Sequence, residues 1–195
     1  MRRWIKQAIL LTIAAVAAAG FAGCGSATVE VPQNLSGKVY TQVSMWEEKG
    51  VISSVNYATG RKIPVNTEVK ILSMSSKDVV FEETAFPGIK LTLLNVEKYS
   101  QMGTAELSAL LFGAKKVDLS KFTNQEQQFI KNFDGTTYKA GITKEAMIVA
   151  RGYPSKHATP TLKYDTWKYW RNRWITNDIG FENNKVTTVD GAPIK

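Results

Sequence analysis

The chain has 195 residues, 44% of them hydrophobic, and its 25 basic and 17 acidic side chains give a formal net charge of +8. This length and hydrophobic content allow one domain, or two small ones, each with a core of its own. The single cysteine, Cys24, excludes an intrachain disulfide.

The N-terminus has the three-part order of a secretory signal. Three cations within the first six residues precede an uncharged apolar run over residues 8–21, and two small residues follow at 22–23. The run is shorter than the ~20 apolar residues that a membrane-spanning helix requires. We therefore expect residues 1–23 to be a signal peptide that is removed.

Cys24 follows directly on Phe21-Ala22-Gly23, and this stretch resembles the lipobox of bacterial lipoproteins. The resemblance implies that Cys24 becomes the lipidated, palmitate-bearing first residue of the mature chain. A thiolate is a good nucleophile for accepting an acyl-bearing group, and several acyl chains anchor a protein far more firmly than one. Gly25, rather than Asp, follows the cysteine, which favours the periplasmic face of the outer membrane over the inner membrane. This covalent lipid is the only cofactor that we expect.

The mature chain would have 172 residues, with 22 basic and 17 acidic side chains and a net charge of +5. That mild excess favours anionic headgroups or acidic protein surfaces, and it is far below the charge of a dedicated nucleic-acid binder. Residues 24–36 are small and polar with one proline. They predict a short tether between the lipid and the fold.

Residues 37–98 alternate apolar and polar side chains, as strands of a half-buried sheet do. Turn-forming residues separate the runs at 48–50, 58–60, 64, 75–78 and 86–88. About five short strands at this spacing predict a small antiparallel β-barrel. The stretch 52–67 resembles the looped-out first hairpin of Src-homology-3-like barrels.

Three short helices are predicted after the barrel. Thr104 can cap the first, Thr123 can begin the second in a capping box with Glu126, and Thr143 can cap the third. The third should end at Gly152, ahead of a proline. Each helix carries an apolar stripe that needs a sheet to cover.

The expected sheet consists of three C-terminal strands, at 166–170, 174–181 and 185–189. Asn183-Asn184 joins the last two, because asparagine tolerates the positive φ of a tight hairpin. The predicted fold class is therefore α+β, with a small antiparallel β-barrel followed by short helices packed on a three-stranded antiparallel sheet.

The C-terminal third resembles a known lipoprotein family. Residues 141–146, 152–154, 165–169 and 179–186 look like the BamE (SmpA/OmlA) domain, which begins a helix with Gly-hydrophobic-Thr and ends it at Gly-x-Pro. A Trp-x-Tyr strand and a Phe-x-Asn-Gly-Lys-Val-like hairpin follow, although Asn184 replaces the usual glycine here. Family members are small outer-membrane lipoproteins that support the insertion of β-barrel proteins. The resemblance implies a BamE-like α+β domain over 99–190, while fold alone does not settle function.

The sequence predicts no catalytic or metal-binding set. The single histidine, His157, lies in a polar loop where we expect it to be solvated, with no second imidazole beside it. The carboxylates of Glu47-Glu48 and of Glu82-Glu83 are adjacent, so on strands they face opposite sides, and we expect them at solvated hairpin ends. The predicted protein is therefore not an enzyme.

Residues 163–174 hold three of the five tryptophans and four basic residues. On a strand, Trp167 and Tyr169 share one face, and we expect that face in the core beneath the helices. Aromatic and Arg side chains at a hairpin end make strong protein contacts and can lie at a headgroup layer. The candidate partner-binding residues there are Trp170, Arg171, Arg173 and Trp174.

Two functions remain open at this point. The first is a membrane-tethered interaction or assembly module that binds an envelope protein, in outer-membrane protein assembly if the family resemblance extends to function. The second is a periplasmic ligand-binding module whose barrel recognises a cell-wall glycan or peptide. An aromatic groove formed by Tyr40, Trp46 and Tyr57 would favour the second function.

Overall fold

The structure is a computed structural model that describes residues 27–195. The signal peptide, Cys24 and the first residues of the tether lie outside that range, so the predictions made for them stay predictions. The rest of the predicted tether is part of the fold: Thr28–Val29 pairs with a strand of the first sheet, and Leu35 is 1% exposed in the first core. The small and polar composition of this stretch hid the few apolar side chains that fix it to the sheet. Within residues 27–195, no helix has the length and apolar content needed to cross a membrane.

The described chain is a mixed α+β fold in which sheets outweigh helices, and this confirms the predicted α+β class. In chain order the strands are β1 (Thr28–Val29), β2 (Val39–Thr41), β3 (Met45–Glu47), β4 (Val51–Ser53), β5 (Arg61–Ile63), β6 (Glu68–Ser75), β7 (Asp78–Glu83), β8 (Lys90–Leu94), β9 (Phe112–Gly113), β10 (Thr166–Trp170), β11 (Thr176–Glu182), β12 (Lys185–Val189) and β13 (Ala192–Pro193). The helices are α1 (Glu97–Ser100), α2 (Thr104–Leu111), α3 (Asn124–Asn132) and α4 (Lys144–Arg151).

The first sheet is curled and has the strand order β4-β8-β7-β6-β2-β9, with β1 also paired to β6. Its neighbours are antiparallel except β4 and β8, which pair in parallel. The sequence analysis expected antiparallel pairs throughout. The difference arises because β4 does not pair with the strand that follows it: β3 and β5 form a separate two-stranded ribbon, and β4 buries Ile52 beside β8 instead.

The first hydrophobic core lies inside this curled sheet. Alternate residues of β7 point inward, with Val79 and Phe81 buried, and Phe81 meets Phe112 edge-on at 5.2 Å between ring centroids. Helix α2 adds Leu107 and Leu111 to the same core. We expected this helix over the C-terminal sheet, but it is held on the first one because β9 follows it at once and pairs with β2.

The second core lies between helices α3 and α4 and the C-terminal sheet β10-β11-β12-β13. The three expected strands are present, and β13 extends the sheet by one. Trp167 and Tyr169 are buried beneath the helices, as predicted. Asn183 and Asn184 have φ values of 48° and 66°, so the β11–β12 hairpin turn also forms as predicted.

One buried carboxylate, that of Glu126, connects the N-termini of α3 and α4. Its Oε2 accepts hydrogen bonds from Thr123 N (3.0 Å) and Thr123 Oγ1 (2.9 Å), which completes the predicted capping box. Its Oε1 accepts from Thr143 N (3.1 Å) and Thr143 Oγ1 (2.6 Å). Burial alone would raise the pKa of Glu126, but these hydrogen bonds outweigh burial and hold the pKa below its usual value.

The two cores are joined around the guanidinium of Arg151, which is 1% exposed. Its Nη1 donates to Asn56 O (2.6 Å) and its Nη2 donates to Trp170 O (2.9 Å). The amide of Asn56 returns a bond to Arg151 O (2.8 Å). The rings of Trp46 and Tyr169 each lie 5.1 Å from the guanidinium carbon. Trp46, which belongs to the ribbon β3–β5, therefore packs in the second core.

Glu126→Gln should destabilise the fold by about 1–3 kcal/mol at neutral pH, because it removes a charge that accepts four hydrogen bonds. The folded-state pKa lies below the ordinary 4.5, so this stabilisation is complete above that pH and is lost as the pH falls through the folded pKa. Chemical unfolding measured at several pH values checks both points. Glu182→Gln, at an exposed position of β11, is the control, and equal effects of the two variants would contradict the role of Glu126.

Trp167→Ala should reduce the free energy of unfolding by ~3–5 kcal/mol, because it leaves a large cavity beneath the helices. The indole is 0% exposed and lies 4.7 Å from the ring of Phe181. Thermal or denaturant unfolding measures the loss, with Trp174→Ala at an 83% exposed position as the matched control. A loss no larger than that of the control would show that the second core does not depend on Trp167.

Candidate functional site

The loop between β10 and β11 forms an ordered, projecting tip. Arg171 N donates to Ile175 O (2.8 Å), and the side-chain oxygen of Asn172 accepts from Trp174 N (2.8 Å) and Ile175 N (2.9 Å). Trp174 is 83% exposed and Ile175 is 47% exposed. A backbone held in this way presents the indole in one place at little further cost in conformational entropy.

Three of the four candidate partner-binding residues, Arg171, Arg173 and Trp174, are exposed in this loop, whereas Trp170 is half-buried. Arg173 differs from the other two exposed residues because it also lines a cavity with Val55 and Tyr57. Trp170 is the last residue of β10 and lies on the face opposite Trp167 and Tyr169, where a neighbouring loop covers it. Of the two candidate tryptophans, Trp174 alone can therefore contact a partner without a change in the surrounding structure.

A cavity of about 140 Å³ opens beside Trp170, between the segment that follows β4 of the first sheet and the end of β10 of the C-terminal sheet. The first sheet with its helices and the C-terminal sheet with its helices are called the two sheet units below. Four of the side chains around the cavity carry rings, and Arg173 supplies a cation at its rim. Burial raises the pKa of the Tyr57 hydroxyl, and the neighbouring Tyr99 raises it further, so this hydroxyl stays protonated at neutral pH. The lining residues are Val55, Tyr57, Tyr99, His157, Trp170 and Arg173.

His157 is part of this cavity and not the solvated loop residue that we expected. Its ring stacks on Trp170 at 5.9 Å and tilts against Tyr99 at 4.9 Å, and its Nδ1 lies 2.8 Å from Ser155 Oγ. The polar loop folds back because His157 N and Ser155 Oγ both donate to Tyr99 O, at 3.1 and 3.0 Å. Tyr99 and His157 are far apart in sequence, so no local pattern indicated that they would meet.

The three aromatic residues considered for a groove on the barrel do not share one surface, although Trp46 and Tyr57 both line a cavity of about 310 Å³. Trp46 is 4% exposed and packs edge-on against Phe133 in the second core, at 6.2 Å between centroids. Tyr40 packs under Lys116, whose Nζ is 5.3 Å from the ring centroid. Tyr57 alone of the three reaches the cavity beside Trp170. The alternation of apolar residues identified these side chains as strand residues but could not assign them to a common face.

Two carboxylates that we expected to be solvated share one arginine. Arg61 Nε binds Glu47 Oε1 at 3.0 Å, and Arg61 Nη2 binds Glu83 Oε1 at 2.5 Å. Glu83 is 5% exposed because the alternation of β7 turns it inward. The N–H of Gly50 and, after it, Arg61 hold the pKa of Glu47 below its usual range against the opposing effect of burial. The arrangement is an ion-pair cluster that ties β3, β5 and β7 together.

Comparison of the chain with family models, with curated proteins and with solved structures found no match. Among residues 27–195, no group of three or more His, Cys, Asp or Glu side chains is placed to hold a metal ion. The ordered tip and the adjacent cavity are the two surface features that are suited to binding a partner or a ligand.

Proposed function

We propose that this protein is a lipid-anchored lipoprotein of the cell envelope that acts as a non-enzymatic protein-interaction or assembly module. It holds an envelope protein through the tip of the β10–β11 hairpin. The observation that supports this proposal is Trp174, 83% exposed on a backbone fixed by Asn172. A rigid, exposed tryptophan flanked by arginines has the composition of a binding hot spot.

The anchor is Cys24, and in this proposal the residues between it and β1 are the tether that sets the folded part away from the membrane surface. In this proposal the second unit is a BamE-like domain, the curled sheet is related to Src-homology-3-like barrels, and the partner belongs to outer-membrane protein assembly. The support for these three points is the set of sequence resemblances together with the capped helices and the Trp167-containing strand on which the BamE resemblance rests.

Cys24→Ser should abolish lipid attachment and release the protein from the membrane while the fold is kept, because a residue on a polar tether supports no buried contact. Mass spectrometry of the mature wild-type protein should find acylated Cys24 at the N-terminus. Density-gradient separation should place the wild type with outer-membrane markers. An unmodified N-terminus elsewhere, or migration with the inner membrane, would contradict the respective part of the proposal.

Trp174→Ser should leave the melting temperature nearly unchanged and sharply reduce partner capture, since truncating an aromatic anchor commonly costs ~2 kcal/mol or more of binding. Capture is measured by crosslinking in intact cells followed by purification from detergent-solubilised membranes. Trp170 is left intact because its half-buried ring supports the fold.

The matched control is Phe86→Ser, which removes a 52% exposed aromatic side chain from the loop between β7 and β8. We expect this variant to keep every captured protein. If Trp174→Ser also keeps them all, or if both variants lose the same proteins, the hairpin tip is not the partner surface. Loss of binding to protein-free lipid vesicles alone would likewise contradict a protein partner at the tip.

A further inference from the structure

The cavity beside Trp170 has the features of a small ligand site distinct from the tip. Its walls come from four separate segments: the loop after β4, helix α1, the loop after α4, and the end of β10 with its turn. The hydrogen bonds from His157 N and Ser155 Oγ to Tyr99 O fix two of these walls against each other. Val96 N donates to Ser54 Oγ (3.0 Å) and holds a third. Pre-formed concave sites of this kind bind ligands without a large ordering cost.

The rings that line the cavity offer apolar faces with polar edges. Tyr57, Tyr99 and Trp170 line the cavity with aromatic rings, whose π-systems attract the C–H groups of a sugar ring. His157 Nδ1 is engaged by Ser155, and among residues 27–195 no hydrogen bond engages its Nε2. The Tyr57 hydroxyl and His157 Nε2 are therefore groups that can bind ligand hydroxyls.

The charge of the lining is one-sided. Arg173 is exposed and takes part in none of the ion pairs found within the described part of the chain, which use Arg61, Lys121, Lys144 and Lys168. No Asp or Glu is among the six residues that line the cavity. A guanidinium in this position recognises a carboxylate or phosphate better than a neutral group.

The cavity beside Trp170 and a neighbouring cavity together have room for two linked rings of a ligand. The cavity at about 140 Å³ is smaller than the ~300–1,000 Å³ of drug-sized pockets and so suits one ring. A second cavity, of about 310 Å³, shares Tyr57 and Arg173 with it and exposes the aliphatic side chains of Val51 and Leu94. Trp46 and the carboxylate of Glu48 also line this second cavity, so the anionic group of a ligand belongs in the first one. A second ring can therefore continue along the edge of β4.

We propose that this cavity is a binding site for a saccharide that carries an anionic group, with one ring on the aromatic walls and its carboxylate or phosphate on Arg173. This inference shares Arg173 with the tip but uses neither Trp174 nor a protein partner, so it stands or falls separately from the proposed function. The anionic group can belong to a carboxylated amino sugar of the cell wall or to a phosphorylated sugar of a lipid headgroup.

Isothermal titration calorimetry on the full chain in detergent tests the inference with three probes. These are the disaccharide of N-acetylglucosamine and N-acetylmuramic acid, which carries a carboxylate, neutral chitobiose, which does not, and glucose 1-phosphate. We expect weak binding of at least one anionic probe and binding at least about 10-fold weaker for chitobiose, a difference of about 1.4 kcal/mol. Preference between the two anionic probes identifies which source supplies the group.

Arg173→Gln should reduce the affinity for the preferred anionic probe by about five- to ten-fold, toward that of chitobiose. Arg171→Gln is the matched control, because Arg171 is an exposed arginine of the same turn that does not line the cavity. This variant should not change the affinity for the anionic probe. Tyr57→Leu should weaken all probes, and Trp174→Ser should weaken none. The inference is overturned if no probe binds at about 10 mM, if chitobiose binds as well as the anionic probes, or if the two arginine variants behave alike.

Discussion

The buried guanidinium of Arg151 is the constraint on which the rest of this structure depends. A cation removed from water is costly unless its hydrogen bonds are satisfied, and within residues 27–195 no carboxylate pairs with this one. Two backbone carbonyls, those of Asn56 and Trp170, and the faces of two aromatic rings take its place, while Nε of Arg151 has no hydrogen-bond partner among the described residues. These groups come from both sheet units. The buried charge of Arg151 is therefore stabilised only when the two units are packed together.

A second cation, Lys62, supports the same junction from the ribbon β3–β5. Its Nζ donates to Ile130 O (3.2 Å) and Phe133 O (2.8 Å), the carbonyls left open at the C-terminal end of α3. Burial lowers the pKa of Lys62, which means that its charge carries a desolvation cost that the carbonyls and the helix dipole partly offset. The ribbon thus brings Trp46 and Lys62 together into the C-terminal unit, and the unit closes over both.

The junction also sets the geometry of the two surfaces considered for function. Arg151 binds the carbonyl of Trp170, the residue at which β10 leaves the core and the exposed turn begins. The tip can therefore be rigid although it projects into solvent, and hydrogen bonds to the carbonyl of Tyr99 hold the walls of the cavity beside Trp170. One surface is apolar and exposed, which suits a protein, and the other is concave and aromatic, which suits a small ring.

The local sequence determined the parts of this protein whose energetics are local. The caps at Thr123 and Thr143, the alternation that buries Trp167 and Tyr169, and the Asn183-Asn184 turn all depend on neighbours within a few residues, and each formed as predicted. Such features need no knowledge of what packs against them.

Only the tertiary structure decided which distant segments meet. The parallel pairing of β4 with β8, the packing of α2 on the first core, the burial of Trp46 in the second and the stacking of His157 on Trp170 each join residues far apart along the chain. Periodicity tells which face of an element is apolar but not which partner covers it. The cavity is made of four segments that are distant along the chain. For that reason the sequence did not reveal the site, although it drew attention separately to Tyr57, His157, Trp170 and Arg173.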